Sequence, residues 1–156
     1  MLKWLWLSVV VVALDQASKW WATTALQYQE QVAVMPFFDL TLRYNYGAAF
    51  SFLADAGGWQ RWFFAAIALL AASAITLWLR RLEAHQRWEA GALALILGGA
   101  LGNLWDRLWH GYVIDFILLY YGPHAWPAFN IADSAISLGA AMLVLDMLFL
   151  QRQRKG

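Results

Sequence analysis

Apolar runs long enough to cross a bilayer recur four times along the chain, over about residues 4–25, 62–79, 90–107 and 130–150. A helix needs roughly 20 such residues to cross ~30 Å of hydrocarbon. The pattern therefore predicts a membrane all-α fold, a four-transmembrane-helix bundle. The first run follows Lys3, where a secretory signal peptide would stand, but Asp15 and Lys19 interrupt it and Trp20 and Trp21 follow. With no small-x-small cleavage site after it, it is expected to be retained as a helix.

Two longer connections separate these runs, at about 26–61 and 108–129. In the first, Phe38, Leu40, Leu42, Tyr44 and Tyr46 alternate with Asp39, Thr41, Arg43 and Asn45. That is the period-2 pattern of a strand with one apolar face. Gly47 interrupts it before a short apolar stretch at 48–52, and Asp55, Gly57 and Gly58 mark a closing turn, so a small two-stranded β platform is predicted. No repeat, low-complexity tract or second domain is visible, and residues 1–156 read as one integral membrane domain.

Composition narrows the chemistry. At 62% hydrophobic and only 13% charged residues, the chain lies outside the range of soluble globular domains. A net charge of +1 supplies no basic field for nucleic acid, and no nucleic-acid partner is expected. The absence of cysteine excludes disulfides, thiolate nucleophiles, iron–sulfur clusters and cysteine-ligated zinc. Lys3, then Arg80, Arg81 and Arg87, then Arg152, Arg154 and Lys155 fall on one side of a four-span topology. By the positive-inside rule that side is cytoplasmic, and the two long connections face outward.

Depth brings the polar residues together. At ~1.5 Å per residue, Asp15 and Lys19 lie roughly 17 and 23 Å along the first helix, and Asn103, Asp106 and Arg107 lie roughly 20 to 25 Å along the third. Asn130 and Asp133 open the fourth helix from the same outer side. Asp15 with Lys19, Asn103 with Arg107, and Asn130 with Asp133 are spaced to share a helix face. Gly98 and Gly102 give the third helix a small-residue face for a close neighbour.

Ionisable groups inside a membrane are costly and point to function. Asp115, on a connection that leaves and re-enters on one side, can return to Asp133. Two close carboxylates retain one proton near neutral pH, which suits them to general acid and base work in peptide hydrolysis. The same residues also fit a plainer reading, with Asp115 capping a turn and Asp133 capping the fourth helix. Asp15 with Lys19 reads as a structural ion pair, Asp106 as an internal charge partner, and Asp146 as an interfacial residue facing Arg152 or water. Ser18 and Lys19 are adjacent and so do not face each other as a dyad would. His110 and His124 lack metal-ligand spacing, and Gly98-Gly99 sits in a helix, not after a strand. A small transporter or proton relay, or a non-catalytic scaffold, remains open on these residues alone.

Five motifs in order resemble those of the bacterial lipoprotein signal peptidases, also called signal peptidase II. They are Asp15-Gln16-Ala17-Ser18-Lys19, Asn45-Tyr46-Gly47-Ala48-Ala49-Phe50-Ser51, Gly102-Asn103-Leu104-Trp105-Asp106-Arg107, Val113-Ile114-Asp115-Phe116 and Phe129-Asn130-Ile131-Ala132-Asp133-Ser134. Ile131 stands where valine is expected, a conservative change.

The resemblance implies an aspartic endopeptidase of the bacterial inner membrane that cuts a prolipoprotein just before its diacylglyceryl-cysteine. It implies Asp115 and Asp133 as the catalytic dyad. Asp15, Lys19, Asn45, Asn103, Arg107, Asn130 and Ala132 would line the pocket under a cradle of outer strands. No cofactor or metal is expected, membrane lipids are the surroundings, and a monomer is the expected state.

Overall fold

The computed structural model describes residues 1–47 and 57–150. Among these residues four α-helices form where the apolar runs predict them: α1 at Leu5–Ala25, α2 at Gln60–Arg81, α3 at Arg87–Trp109 and α4 at Ile131–Leu145. A 3-10 turn at Leu2–Trp4 precedes α1, and a π-helical turn at Asp146–Leu150 continues α4. α2 and α3 run a few residues past the apolar stretches, because a helix stops where its backbone hydrogen bonds stop. α2 and the stretch Ile131–Phe149 are long and apolar enough to cross a membrane. α1 and α3 are as long, about 31 and 34 Å at ~1.5 Å per residue, but they bury Asp15, Lys19, Asn103 and Asp106.

α3 packs against each of the other three helices. The expected small face does bring α1 close: a Cβ at Gly98 would lie 2.7 Å from Val11 Cβ, and one at Gly102 would lie 2.6 Å from Asp15 Oδ2. Gly99 and Gly139, which the spacing argument did not single out, serve the α3–α4 contact in the same way, against Ile136 and Ile96. At the other end Leu79, Leu82, Ala90, Leu93 and Leu97 form a buried cluster onto which Trp4 and Leu5 pack. That packing puts Lys3 at the same end as Arg80, Arg81 and Arg87. Arg152, Arg154 and Lys155 lie outside the described residues.

The sheet departs from expectation. Among the described residues it has four antiparallel strands in the order β1 (Gln31–Met35), β2 (Phe38–Asn45), β3 (Val113–Tyr121) and β4 (His124–Ala125). The predicted strand is β2, but its neighbours are β1 and β3; residues 48–52, its expected partner, lie outside the described residues. Nor is β2 covered on one face only, since Thr41 and Leu42 are both buried. β3 carries no alternating pattern, because its first four residues are all buried.

Strand pairing positions the site. Arg43 pairs with Asp115 and Asn45 with Val113 across β2 and β3. On the other side Phe129 bridges Ile117, its N–H donating to the Ile117 carbonyl at 3.0 Å. The chain entering α4 is thereby pinned beside β3, with Asn130 next to Asp115. Asp146 is buried and does not face water, at the change from α-helix to π-helix, while Arg152, its other expected partner, lies outside the described residues. Hydropathy gives no sign of that change in periodicity.

Candidate active site

Lys19 is 1% exposed, and an ammonium so enclosed persists only when its charge is paired and its protons are all donated. Its Nζ lies 2.8 Å from Asp15 Oδ2 and 2.8 Å from Asp106 Oδ2, and it donates to Asn103 Oδ1 at 3.0 Å. Two carboxylates and one amide carbonyl thus surround the ammonium. Asp15 stands one turn before Lys19 on α1, while Asn103 and Asp106 share a face of α3. The second oxygen of Asp15 accepts the Ala132 N–H at 2.9 Å, one of the first-turn donors of α4 that its own helix cannot satisfy.

The bond from Lys19 fixes Asn103. With its carbonyl turned to the ammonium, the Asn103 amide points the other way and donates to Asp133 Oδ1 at 2.8 Å. The same logic holds at α4, where Asn130 is the N-cap of a capping box. Asn130 Oδ1 accepts the Asp133 N–H at 2.9 Å, and Asp133 Oδ2 accepts the Asn130 N–H at 3.3 Å. Its carbonyl being engaged, Asn130 directs its amide at β3, donating to Asp115 Oδ1 at 2.7 Å and to the Ile114 carbonyl at 3.2 Å. Asn45 donates to the other Asp115 oxygen at 3.2 Å. Asn130 thus touches both carboxylates.

Asp115 and Asp133 open onto one cavity of about 1200 Å³, whose wall also holds Asn45, Asn103 and Arg107. Arg107 reaches across it, donating to the Gly47 carbonyl at 3.2 Å and lying over the Phe64 ring. Tyr28, Tyr44 and Tyr46 form an aromatic side of the same space, with the Tyr28 and Tyr44 rings 4.9 Å apart. Burial, and after it the nearby charge of Asp133, pushes the Asp115 carboxyl up to about 7; the bonds from Asn45 and Asn130 act the other way. Near neutral pH this pair of carboxylates still holds a proton, so an acid and a base face one space.

Asp15, Lys19, Asn130 and Ala132, expected to line the pocket, are instead at most 1% exposed and stand one layer behind its wall. Their mutual pairing draws them inward. Asp115 caps no turn but lies within β3, and the N-cap of α4 is Asn130, with Asp133 its reciprocal partner at the third position. Ser18 turns its hydroxyl back to the Asp15 carbonyl at 2.8 Å, away from any dyad with Lys19. Asp106, read beside Arg107, is paired with Lys19. Equal depth on two helices, about 23 and 24 Å at ~1.5 Å per residue, is the signal that matches those two. Gln16, which donates to Asp106 Oδ1 at 2.9 Å, was not anticipated, and nothing in the local pattern marks it.

Comparison with known proteins agrees with these motifs. The family described as Signal peptidase (SPase) II matches residues 7–149. A lipoprotein signal peptidase of Acinetobacter baumannii is 56% identical over 151 residues, spanning 97% of this chain and 86% of that one. One of Pseudomonas putida is 55% identical over 148 residues, spanning 94% and 86%. A solved structure described as a bacterial membrane enzyme determined by the in meso method superposes with a TM-score of 0.85 at 30% identity, covering 95% of this chain and 88% of that one.

Proposed function

This chain belongs to the signal peptidase II family of aspartic peptidases, and from that membership we propose that Asp115 and Asp133 are its catalytic pair, cutting a prolipoprotein just before a diacylglyceryl-modified cysteine. It is a lipoprotein signal peptidase and a bacterial membrane enzyme. The observation that carries the catalytic assignment is that both carboxylates open onto one cavity while Asn130 holds an oxygen of each.

In the reaction, the ionised carboxylate removes a proton from water as the water oxygen bonds to the scissile carbonyl carbon. The protonated partner gives its proton to the carbonyl oxygen, producing a neutral tetrahedral diol. Collapse re-forms the carbonyl as one hydroxyl proton returns to a carboxylate and the amide nitrogen takes up the other carboxyl's proton. The C–N bond breaks, leaving a carboxyl on the signal peptide and a free amine on the cysteine. Asn45 and Asn103 each bond one carboxylate from the cavity wall, and Arg107 offers a cation to a substrate carbonyl. Asp15, Lys19, Asn130 and Ala132 support the site from behind that wall.

All four helices cross the inner membrane in this reading, with both termini cytoplasmic and the site near the periplasmic face. Supporting it, Lys3, Arg80, Arg81 and Arg87 gather at the end opposite Asp115 and Asp133. An acyl-anchored cysteine would hold the scissile bond at that outer interface, among membrane lipids, and one chain suffices to build the cavity.

The test is to incubate the purified protein with a diacylglyceryl-modified prolipoprotein and resolve the shortened product. Asp115→Asn and Asp133→Asn are expected to abolish cleavage while leaving folded, membrane-inserted protein. Normal processing by either variant removes that residue from the pair.

A further inference from the structure

We propose that Asp106 is a positioning residue for the reaction, fixing Asp115 by holding the backbone N–H of the residue before it, Ile114. The inference rests on the catalytic reading of Asp115 given above.

Asp106 is fully buried and does not line the cavity, so it is not placed to touch substrate. Its carboxylate nonetheless engages three groups on two other elements, two through hydrogen bonds and one as an ion pair. Oδ1 takes Gln16 Nε2 at 2.9 Å from α1. Oδ2 accepts the Ile114 N–H of β3 at 3.1 Å and lies 2.8 Å from the Lys19 ammonium as its ion-pair partner. The backbone carbonyl of Asp106 accepts the His110 N–H at 2.7 Å and the Gly111 N–H at 3.2 Å, closing α3 just before the turn into β3.

Residue 114 is consequently gripped on both sides, its N–H by Asp106 and its carbonyl by Asn130 at 3.2 Å. A strand held at the peptide before Asp115 has little freedom to rotate that side chain out of the cavity. Oδ2 also ties this grip to Lys19, whose bond to Asn103 orients that amide toward Asp133. One buried oxygen therefore links the supports of both carboxylates, so their relative position depends on it.

A purely structural role would predict loss of folded protein with normal turnover in what remains. Positioning predicts a turnover defect at unchanged substrate affinity. Asp106→Asn keeps the shape and one acceptor oxygen, but it presents an amide to Gln16, which is already donating there. The Gln16 amide would have to turn, giving up its bonds to the Gly102 carbonyl and Asp15. Asp106→Ala removes both hydrogen bonds and the ion pair.

The experiment measures kcat and KM on a lipid-modified prolipoprotein for the wild type, Asp106→Asn, Asp106→Ala and Asp115→Asn in the same detergent. The expected result is kcat lowered about tenfold in Asp106→Asn and about 100-fold in Asp106→Ala, the scale of a misplacement near 1 Å, with KM within about twofold. Partial rescue by the amide relative to alanine is part of that expectation. Wild-type kcat in Asp106→Asn, or a raised KM with kcat intact, overturns the proposal, and Asp106→Asn alone decides if the alanine variant does not accumulate. An active Asp115→Asn would instead sink the catalytic reading itself, so the two failures are told apart.

Discussion

The side-chain amide of Asn130 donates to Asp115 Oδ1 at 2.7 Å, while its own peptide N–H and side-chain carbonyl bind Asp133. One helix cap thus holds two acids from different elements in a single register. Replacing Asn130 with Asp keeps a capping oxygen but loses the amide, and Asp115 loses a bond that lowers its pKa. Asp115 should then keep its proton to higher pH. The expected outcome for Asn130→Asp is a folded protein with at least about tenfold lower kcat and any residual activity persisting further into alkali. A pH–rate profile with an unmoved alkaline limb would count against this role.

The wild-type profile follows from Asp115 itself. With its carboxyl pushed from 3.8 up to about 7, the pair is left doubly ionised as the pH rises through about 7. The acid needed for the leaving amine is then lost, so kcat/KM should fall on the alkaline side with the slope of one proton. The same shift carries a stability consequence. Between 3.8 and about 7 the folded chain binds a proton that the unfolded chain has released, so Asp115's contribution is full below 3.8, declines with rising pH, and is gone above about 7. Unfolding followed against pH in micelles, with Asp115→Asn as the reference, isolates that contribution.

Lys19→Met should be among the most destabilising single changes. It would leave Asp15 and Asp106, both fully buried, without the cation that lies 2.8 Å from each. Removing one partner from a buried ion pair costs about 3–5 kcal/mol. It also frees Asn103 to rotate, so activity should fall even where the fold survives. Unfolding free energy in detergent, measured beside cleavage rate, checks both parts.

Gly102→Ala tests the close approach of α1 and α3. The added Cβ would meet Asp15 Oδ2 at 2.6 Å, and that oxygen is bound to Lys19, so it has little room to retreat. We expect turnover lowered about tenfold through displaced supports. Alanine at Gly122, where a Cβ has open space but φ is +56°, should cost only modest stability and leave turnover unchanged. Equal activity in the Gly102 and Gly122 variants would contradict the packing argument.

Much of this protein was legible in one dimension. Apolar length located four helices, and the fixed rise of a helix put Asp15, Lys19, Asn103, Asp106, Asn130 and Asp133 at one level before any contact was known. Spacing also set Asn130 and Asp133 on one helix face, but it offered Asp133 as the cap of α4, where the structure has Asn130. What local pattern did not carry was partner choice between segments far apart. β2 pairs with β3 some 70 positions on, Lys19 with Asp106, and Ile114 with both Asp106 and Asn130. Helical periodicity says which face a side chain occupies, but it does not say which way an amide is turned or which carboxylate an ammonium selects. Those choices are set only when every buried donor must find an acceptor at once. That condition belongs to the packed bundle, and it is what set Lys19, Asn130 and Ala132 behind the cavity wall and left Asp115 and Asp133 on it.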